Sequence, residues 1–161
     1  MDFNRIIQII YFLMFLFILK QLYNIVNVKK SIEGKKLAVY NPKVKIYIGL
    51  LVVALLLLGT MTLVNKDYFG IIYILTGLGF AYVYVDKVIV YETGIYYNGR
   101  LDSWNEIKKW TYDARTSNLR LETTKPGNKA YRSIPIKNED KENILSIIRN
   151  RKNKKKNKVK K

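Results

Sequence analysis

The feature that most constrains this chain is an abrupt change of character near Asp86. Three long apolar segments precede that residue, and a polar, aromatic-rich stretch with a lysine-rich end follows it. A helix needs about 20 mostly apolar residues to cross the hydrocarbon core of a bilayer. We therefore expect a transmembrane α-helical region over residues 1–85, followed by a small domain outside the membrane.

Two of the apolar segments form a close pair. Neither Ile46–Val64 nor Phe69–Val85 contains a charged residue, and only residues 65–68 separate them, which predicts a tight helical hairpin. Glycines punctuate both helices. Small residues allow helices to approach closely in lipid, but glycine is also commoner in membrane helices for other reasons. Both explanations stay open.

The first apolar segment, residues 6–26, is interrupted by Lys20. It spans a membrane if the lysine extends its ammonium to the nearer interface, and the alternative is a helix lying in the interface. A cleaved signal peptide is disfavoured, because no basic cluster precedes the apolar run and no small-residue cleavage site follows it.

The distribution of charge predicts the orientation. The net charge is +17, of which residues 29–45 carry +5 and residues 149–161 carry +9. With three spans at about 6–26, 46–64 and 69–85, both basic segments lie on one side. Cytoplasmic loops are enriched in Lys and Arg. We therefore expect a multi-pass protein of the cell membrane, with its N-terminus outside and its C-terminal domain in the cytoplasm.

From Lys87 the apolar pattern alternates as in β-strands, and Asn98-Gly99 predicts a type I′ hairpin turn, whose two central residues need positive φ. An amphipathic helix follows, with Asn138 as its expected N-cap and Ile144, Leu145, Ile147 and Ile148 on one face. This predicts a small α+β domain over residues 86–150, in which a curled antiparallel sheet is covered by the helix. The candidate strands are residues 87–92, 95–97, 100–104, 107–113, 119–124 and 130–136.

The segment Gly94–Ile107, which reads GIYYNGRLDSWNEI, resembles the "GI…G…W-x-E-I" segment of small bacterial membrane proteins with a C-terminal pleckstrin-homology-like (PH-like) domain. Ile134-Pro135-Ile136, leading into a helix that starts with acidic residues, is similar to the ending of that family. The resemblance implies a PH-like fold and no assigned activity. A complete PH fold has seven strands, so this domain is either abbreviated or takes a further strand from residues 82–85.

The composition argues against catalysis. The chain has no histidine and no cysteine, which removes the commonest general base and the usual zinc and thiol chemistry. No phosphate-binding glycine loop is present in a suitable context. We expect no enzymatic activity, no cofactor and no metal. The residues expected to anchor the domain core are Trp104, Ile107 and Trp110, and a ligand-binding role for the two tryptophans is the less favoured alternative.

The basic end is the strongest functional hint. Residues 151–161 have the composition of a disordered tail. The basic residues expected to bind a lipid surface or an anion are Arg149, Arg151, Lys152, Lys154, Lys155, Lys156, Lys158, Lys160 and Lys161. Anionic lipid is the favoured partner, a role limited to solubility and topology comes next, and nucleic acid is disfavoured because the tail lacks aromatics for base stacking.

Three functions follow from these patterns. The favoured one is a membrane-anchored cytoplasmic interaction module that binds a protein partner or anionic lipid headgroups. The second is a small oligomeric transport or pore component, which the scarcity of polar groups in the spans disfavours. The third is a membrane tether for nucleic acid through the basic tail. The sequence leaves the oligomeric state open.

Overall fold

The computed structural model describes residues 3–43, 45–125 and 128–159, and within these ranges it describes the side chains except those of 3, 4, 125, 128 and 154–159. The chain forms two compact units. One is helical and contains residues 1–31 and 44–86. The other contains residues 32–43 and 87–161, so it is assembled from two separate stretches of chain.

The helical unit contains α1 (Phe3–Ser31), α2 (Ile46–Val64) and α3 (Gly70–Val85). Helix α3 is central, because it packs against both α2 and α1, whereas α1 and α2 barely touch. Within the described part of the chain, two helices, over Arg5–Ser31 and Ile46–Val64, are long and apolar enough to cross a membrane by length and composition, and α3 is a shorter apolar helix.

Glycines allow the helices of this unit to pack closely. A Cβ added to Gly59 or Gly70 would collide with the backbone of the facing helix, and one added to Gly79 would overlap the side chain of Ile18 on α1. Gly49 has open space around it. Of the two explanations for the glycines, close packing therefore accounts for Gly59, Gly70 and Gly79, but not for Gly49.

The ends of α1 and α3 are joined by an ion pair. The ammonium of Lys29, in the last turn of α1, contacts the carboxylate of Asp86, which follows α3, at 2.5 Å. The Asp86 side chain is almost fully buried, at 1% exposure. Because an unpaired buried carboxylate is costly, this contact favours keeping the two helix ends together.

The second unit contains two antiparallel sheets and a C-terminal helix. The first sheet has the order β1-β2-β3-β4 and the second β5-β6-β7. The strands are β1 (Lys36–Tyr40), β2 (Val88–Tyr91), β3 (Gly94–Tyr97), β4 (Arg100–Ser103), β5 (Ile107–Asp113), β6 (Asn118–Lys125) and β7 (Asn128–Pro135). At the β3–β4 turn, Asn98 and Gly99 have φ of 50° and 71°, as a type I′ turn requires.

The core of this unit lies between the sheets and the helix. Isoleucine, leucine and valine from both sheets meet the apolar face of the helix, whose residues Ile144 and Ile148 are completely buried. β1 contributes Tyr40 to the same core. The remaining buried members are Val88, Val90, Ile95, Trp104, Ile107, Leu119, Leu121, Ile134, Ile136 and Leu145.

Strand β1 corrects the domain boundary that the sequence analysis places at residue 86. Lys36–Tyr40 lies between α1 and α2, yet it pairs antiparallel with β2 and belongs to the same unit as β2 to β7. Residues 82–85, which the sequence analysis left open as a possible further strand, are in α3. β1 was missed because it is short, contains a register shift between Lys36 and Ala38, and is separated from its partner by the α2–α3 hairpin.

The C-terminal helix also departs from expectation. A short 3₁₀ turn, Asn138–Asp140, precedes α4 (Lys141–Val159). Asn138 does not cap a helix; its side-chain oxygen accepts hydrogen bonds from Tyr112 and Ser117 instead. Helix α4 continues to Val159, past residue 151, at which the disordered tail was expected to begin. Lysine is a good helix former, so its abundance does not end the helix.

Candidate functional site

The basic end of α4 is the candidate site, and it continues the helix face that packs on the core. Ile144, Leu145 and Ile148 are buried on that face. Side chains four residues apart lie on the same side of a helix. The next position on this face, four residues after Ile148, is Lys152.

Lys152 is anchored to the domain. Its ammonium donates hydrogen bonds to the backbone oxygens of Trp104, at 2.5 Å, and of Ile107. Both carbonyls lie where the chain passes from β4 into β5. Lys152 was expected to contact lipid or an anion, and the structure directs its charge to the folded unit instead. The spacing from Ile148 is the signal in the sequence that identifies this role.

The two neighbouring arginines differ from each other. Arg151 lies 3.5 Å from the carboxylate of Glu92, and both side chains are partly exposed. Surface pairs of this kind contribute little to stability. Arg149 is exposed on the helix surface. Of the predicted anion-binding side chains that the structure describes, Arg149 is therefore the one that faces solvent most fully.

The remaining predicted residues form the last part of the chain. The backbone of Lys154, Lys155, Lys156 and Lys158 is helical, and their side chains lie outside the described atoms. Lys160 and Lys161 lie outside the described residues. The helical backbone places this lysine-rich segment directly after the Lys152 anchor.

The predicted core anchors occupy different environments. Trp104 is buried at 6% exposure, and its indole nitrogen donates to the backbone oxygen of Tyr91 at 3.2 Å. Ile107 is completely buried. Trp110 is half-buried and packs against the core from outside. Trp104 and Ile107 also carry the two carbonyls that Lys152 caps, so they connect the core to the basic end of α4.

A buried charge cluster bridges β4 and β7, and the sequence analysis did not predict it. The carboxylate of Asp102, completely buried, contacts Arg100 at 2.9 Å and also Arg132. Arg132 also donates to the backbone oxygens of Tyr97 and Arg100. Burial lowers the pKa of Arg132, while Asp102 opposes that shift. These contacts join the two sheets through side chains.

A second polar cluster surrounds Ser117, between β5 and β6. Lys43 donates to the Ser117 hydroxyl at 3.0 Å, and Ser117 donates to the Asn138 side chain at 3.2 Å. Ser117 has φ of 53° and is buried. Lys43 is exposed and donates this hydrogen bond, which holds the chain after β1 against Ser117. A lysine that donates to the hydroxyl does not act as its base, so the pair gives no sign of an activated nucleophile.

The residues that the structure describes contain no group of three or more His, Cys, Asp or Glu side chains suited to hold a metal ion. In the helical unit, an apolar groove of about 470 Å³ lies between α1 and α3. Its lining includes Phe15, Leu22, Leu78 and Tyr82.

Comparison with known families places a match on the second unit. Residues 86–153 match the family model of a domain of unknown function, DUF5673. No curated protein and no solved structure matches the chain. The matched range leaves out β1. It includes the Lys152 anchor but not the lysines from Lys154 onward.

Proposed function

We propose that this protein is a membrane-anchored interaction module in which α1, α2 and α3 cross the membrane and the strand-rich unit works at the cytoplasmic face. The observation that carries the proposal is the pairing of β1 with β2. Paired strands lie on one side of a membrane, so the chain between them must cross it an even number of times. Two crossings, by α2 and α3, satisfy this requirement.

The dimensions of the helices are compatible with that arrangement. Helix α2 contains 19 residues and α3 contains 16. At 1.5 Å per residue, α3 is about 24 Å long, slightly less than a hydrocarbon core of about 30 Å. A short span is accommodated by local thinning of the bilayer at modest cost.

Charge supports the cytoplasmic assignment. The unit that contains β1 and β2 includes most of the two basic segments, residues 29–45 with +5 and residues 149–161 with +9. The α2–α3 connection, in which Lys66 and Asp67 cancel, lies on the opposite side. Positive loops are retained in the cytoplasm.

We further propose that the strand-rich unit is PH-like. Its support is the strand count, because β1 raises the number among the described residues to seven, in sheets of four and three, followed by a C-terminal helix. The resemblance of Gly94–Ile107 to bacterial PH-like proteins points the same way. On this proposal the unit serves to recognise a ligand.

The ligand that the basic end of α4 fits best is the anionic surface of the inner leaflet. Each basic residue close to such a surface contributes about 1 kcal/mol of attraction. Lys152 holds α4 on the domain and Arg149 is exposed, and we assign Arg149 and the lysines after Asn153 to contact with lipid. A protein partner, a pore function and nucleic-acid tethering are the alternatives that an experiment must separate.

The test uses the full chain in lipid nanodiscs, made either of phosphatidylcholine alone or with added phosphatidylglycerol. Hydrogen exchange of residues 150–159 is measured at low and high salt. The proposal predicts slower exchange in the anionic discs at low salt, with the protection lost at high salt because screening weakens contacts to exposed charges.

Two double variants, each of which removes two positive charges, serve as the test and its matched control. Lys155→Gln with Lys156→Gln should reduce the protection, whereas Lys108→Gln with Lys109→Gln, two exposed lysines of β5, should leave it unchanged. Equal exchange in neutral and anionic discs would contradict the lipid assignment. Protection that appears only when RNA is added would identify nucleic acid as the partner, and protection that appears only with a second protein would identify a protein partner. Ion flux through liposomes that contain the chain would support a pore.

A further inference from the structure

Strand β1 is joined at both ends to the helical unit. Only residues 32–35 separate it from the end of α1, and only residues 41–45 separate it from the start of α2. The strand itself is part of the other unit, through its pairing with β2. Any change in the separation of these two helix ends therefore acts on β1 through a few residues of chain.

The helices at the two ends of β1 are held together indirectly. Helix α3 packs against both α1 and α2, while α1 and α2 barely touch each other. At the α1–α3 contact, Gly79 lies against Ile18 so closely that a Cβ would overlap it. A displacement of α1 on α3 therefore changes the distance between α1 and α2 without breaking a direct contact between them.

β1 is suited to detach before the rest of its sheet. It is an edge strand with β2 as its partner, and its pairing is interrupted by a register shift between Lys36 and Ala38. It buries the ring of Tyr40, but among the described residues the Tyr40 hydroxyl has no hydrogen-bond partner. A buried hydroxyl without a partner costs free energy that exposure to water recovers.

Besides its pairing with β2 and the packing of Leu37, Ala38 and Tyr40 on the core, the strand is held by contacts at its two ends. Before β1, Glu92 donates its backbone N–H to Lys35 at 3.1 Å, and the Thr93 hydroxyl donates to the oxygen of Glu33 at 3.2 Å. After it, Lys43 reaches Ser117 at 3.0 Å. These contacts can break without disturbing β2–β4, which are paired through their own turns.

We propose that β1 is a releasable strand that couples the helices to the sheet: a displacement of α1 or α2 on α3 detaches β1 from β2 and leaves the rest of the strand-rich unit folded. In this arrangement the helices are more than an anchor. They determine whether the edge of β2 is paired with β1 or exposed.

The experiment uses the full chain in detergent micelles and compares two glycine variants. Gly79→Ala forces α1 away from α3 at Ile18, whereas Gly49→Ala makes the same chemical change on α2 where space is open. Hydrogen exchange is followed in β1 and in β6 and β7. Because local opening sets the exchange rate, Gly79→Ala should accelerate exchange in β1 by about tenfold or more and leave β6 and β7 unchanged. Gly49→Ala should change neither.

Two additional variants protect the test against a general loss of folding. Ile18→Ala in the Gly79→Ala background removes the overlap and should restore slow exchange in β1. Gly77→Ala, whose Cβ would lie 3.3 Å from Leu55 Cβ, is a milder displacement of α2 and should give the same local effect. Exchange in β1 that is unaffected by both glycine variants, or that rises equally throughout β6 and β7, would overturn the proposal.

Discussion

Single side chains affect the stability of the strand-rich unit, and in Tyr40 the ring and the hydroxyl oxygen have opposite effects. Its ring is buried at 5% exposure in the core, while its hydroxyl has no hydrogen-bond partner among the described residues. Burial raises the pKa of Tyr40, with a smaller contribution from the negative charge of Asp140. The buried position of Tyr40 is therefore stabilised by its ring and destabilised by its hydroxyl.

Tyr40→Phe should stabilise the protein by about 1 kcal/mol, because it removes a buried polar group without a partner. A raised pKa means that the folded state favours the protonated phenol. The contribution of the protonated Tyr40 phenol to the free energy of unfolding is therefore complete below the ordinary pKa of 10.0 and is lost as the pH rises above that value. The variant should therefore lose less stability in alkali, as measured by thermal unfolding at a series of pH values.

Tyr112→Phe is the matched control. The Tyr112 hydroxyl hydrogen-bonds the backbone oxygen of Ile136 at 3.0 Å and the Asn138 side chain at 2.7 Å. Removing it should lower stability. If both variants shifted the unfolding temperature in the same direction, the assignment of the Tyr40 hydroxyl as unsatisfied would be wrong.

Arg132→Met should be strongly destabilising, since it leaves Asp102 completely buried beside one arginine only. Breaking a buried ion pair by removing one partner costs about 3–5 kcal/mol. Arg120→Met, which breaks the exposed 2.9 Å pair with Asp113, should have little effect. Chemical denaturation of the two variants would compare the sites, and similar losses would contradict the bridging role of Arg132.

At the scale of elements, we assign α4 two functions along one helix: its first half covers the core, and its basic end is proposed to bind lipid. Its first half covers the core through Ile144, Leu145 and Ile148, and Lys152 then fixes its exit from the domain. The basic residues beyond that point extend from an anchored helix. Anchoring reduces the conformational freedom that would otherwise be lost on binding a surface.

Lys152→Met and Arg149→Met should separate these functions. Lys152→Met leaves the carbonyls of Trp104 and Ile107 without their donor, so it should lower the unfolding temperature. Arg149→Met should keep that temperature and weaken the protection of α4 on anionic nanodiscs. Equal unfolding temperatures for the two variants would show that Lys152 is not an anchor.

The elements that the sequence predicts well are those whose signals are local. β2 to β7 follow from alternation, and the β3–β4 turn follows from Asn98-Gly99, because each depends on neighbouring residues. β1 could not be predicted in this way, since its partner β2 lies beyond residues 41–87. Within the candidate site, the i+4 spacing from Ile148 identifies Lys152, whereas the bridge from Arg132 to Asp102 depends on how the sheets are brought together.

At the scale of the whole molecule, the order of the elements is the informative feature. A helical hairpin is inserted between two adjacent strands of one sheet, so the strand-rich unit is complete only after α2 and α3 have been made. A fragment that begins at Lys87 lacks β1 and the Tyr40 ring. We expect such a fragment to be less stable than the same unit in the full chain, and thermal unfolding monitored by tryptophan fluorescence would compare them.

The measurement that tests the membrane arrangement most directly is the labelling of single cysteines from outside the cell. The chain has no cysteine, so Tyr68→Cys and Ser146→Cys each introduce one reactive thiol at an exposed position. Tyr68→Cys, between α2 and α3, should react with an impermeant maleimide in intact cells. Ser146→Cys, on α4, should react only after the membrane is opened. Labelling of Ser146→Cys in intact cells, or protection of Tyr68→Cys there, would contradict the proposed topology.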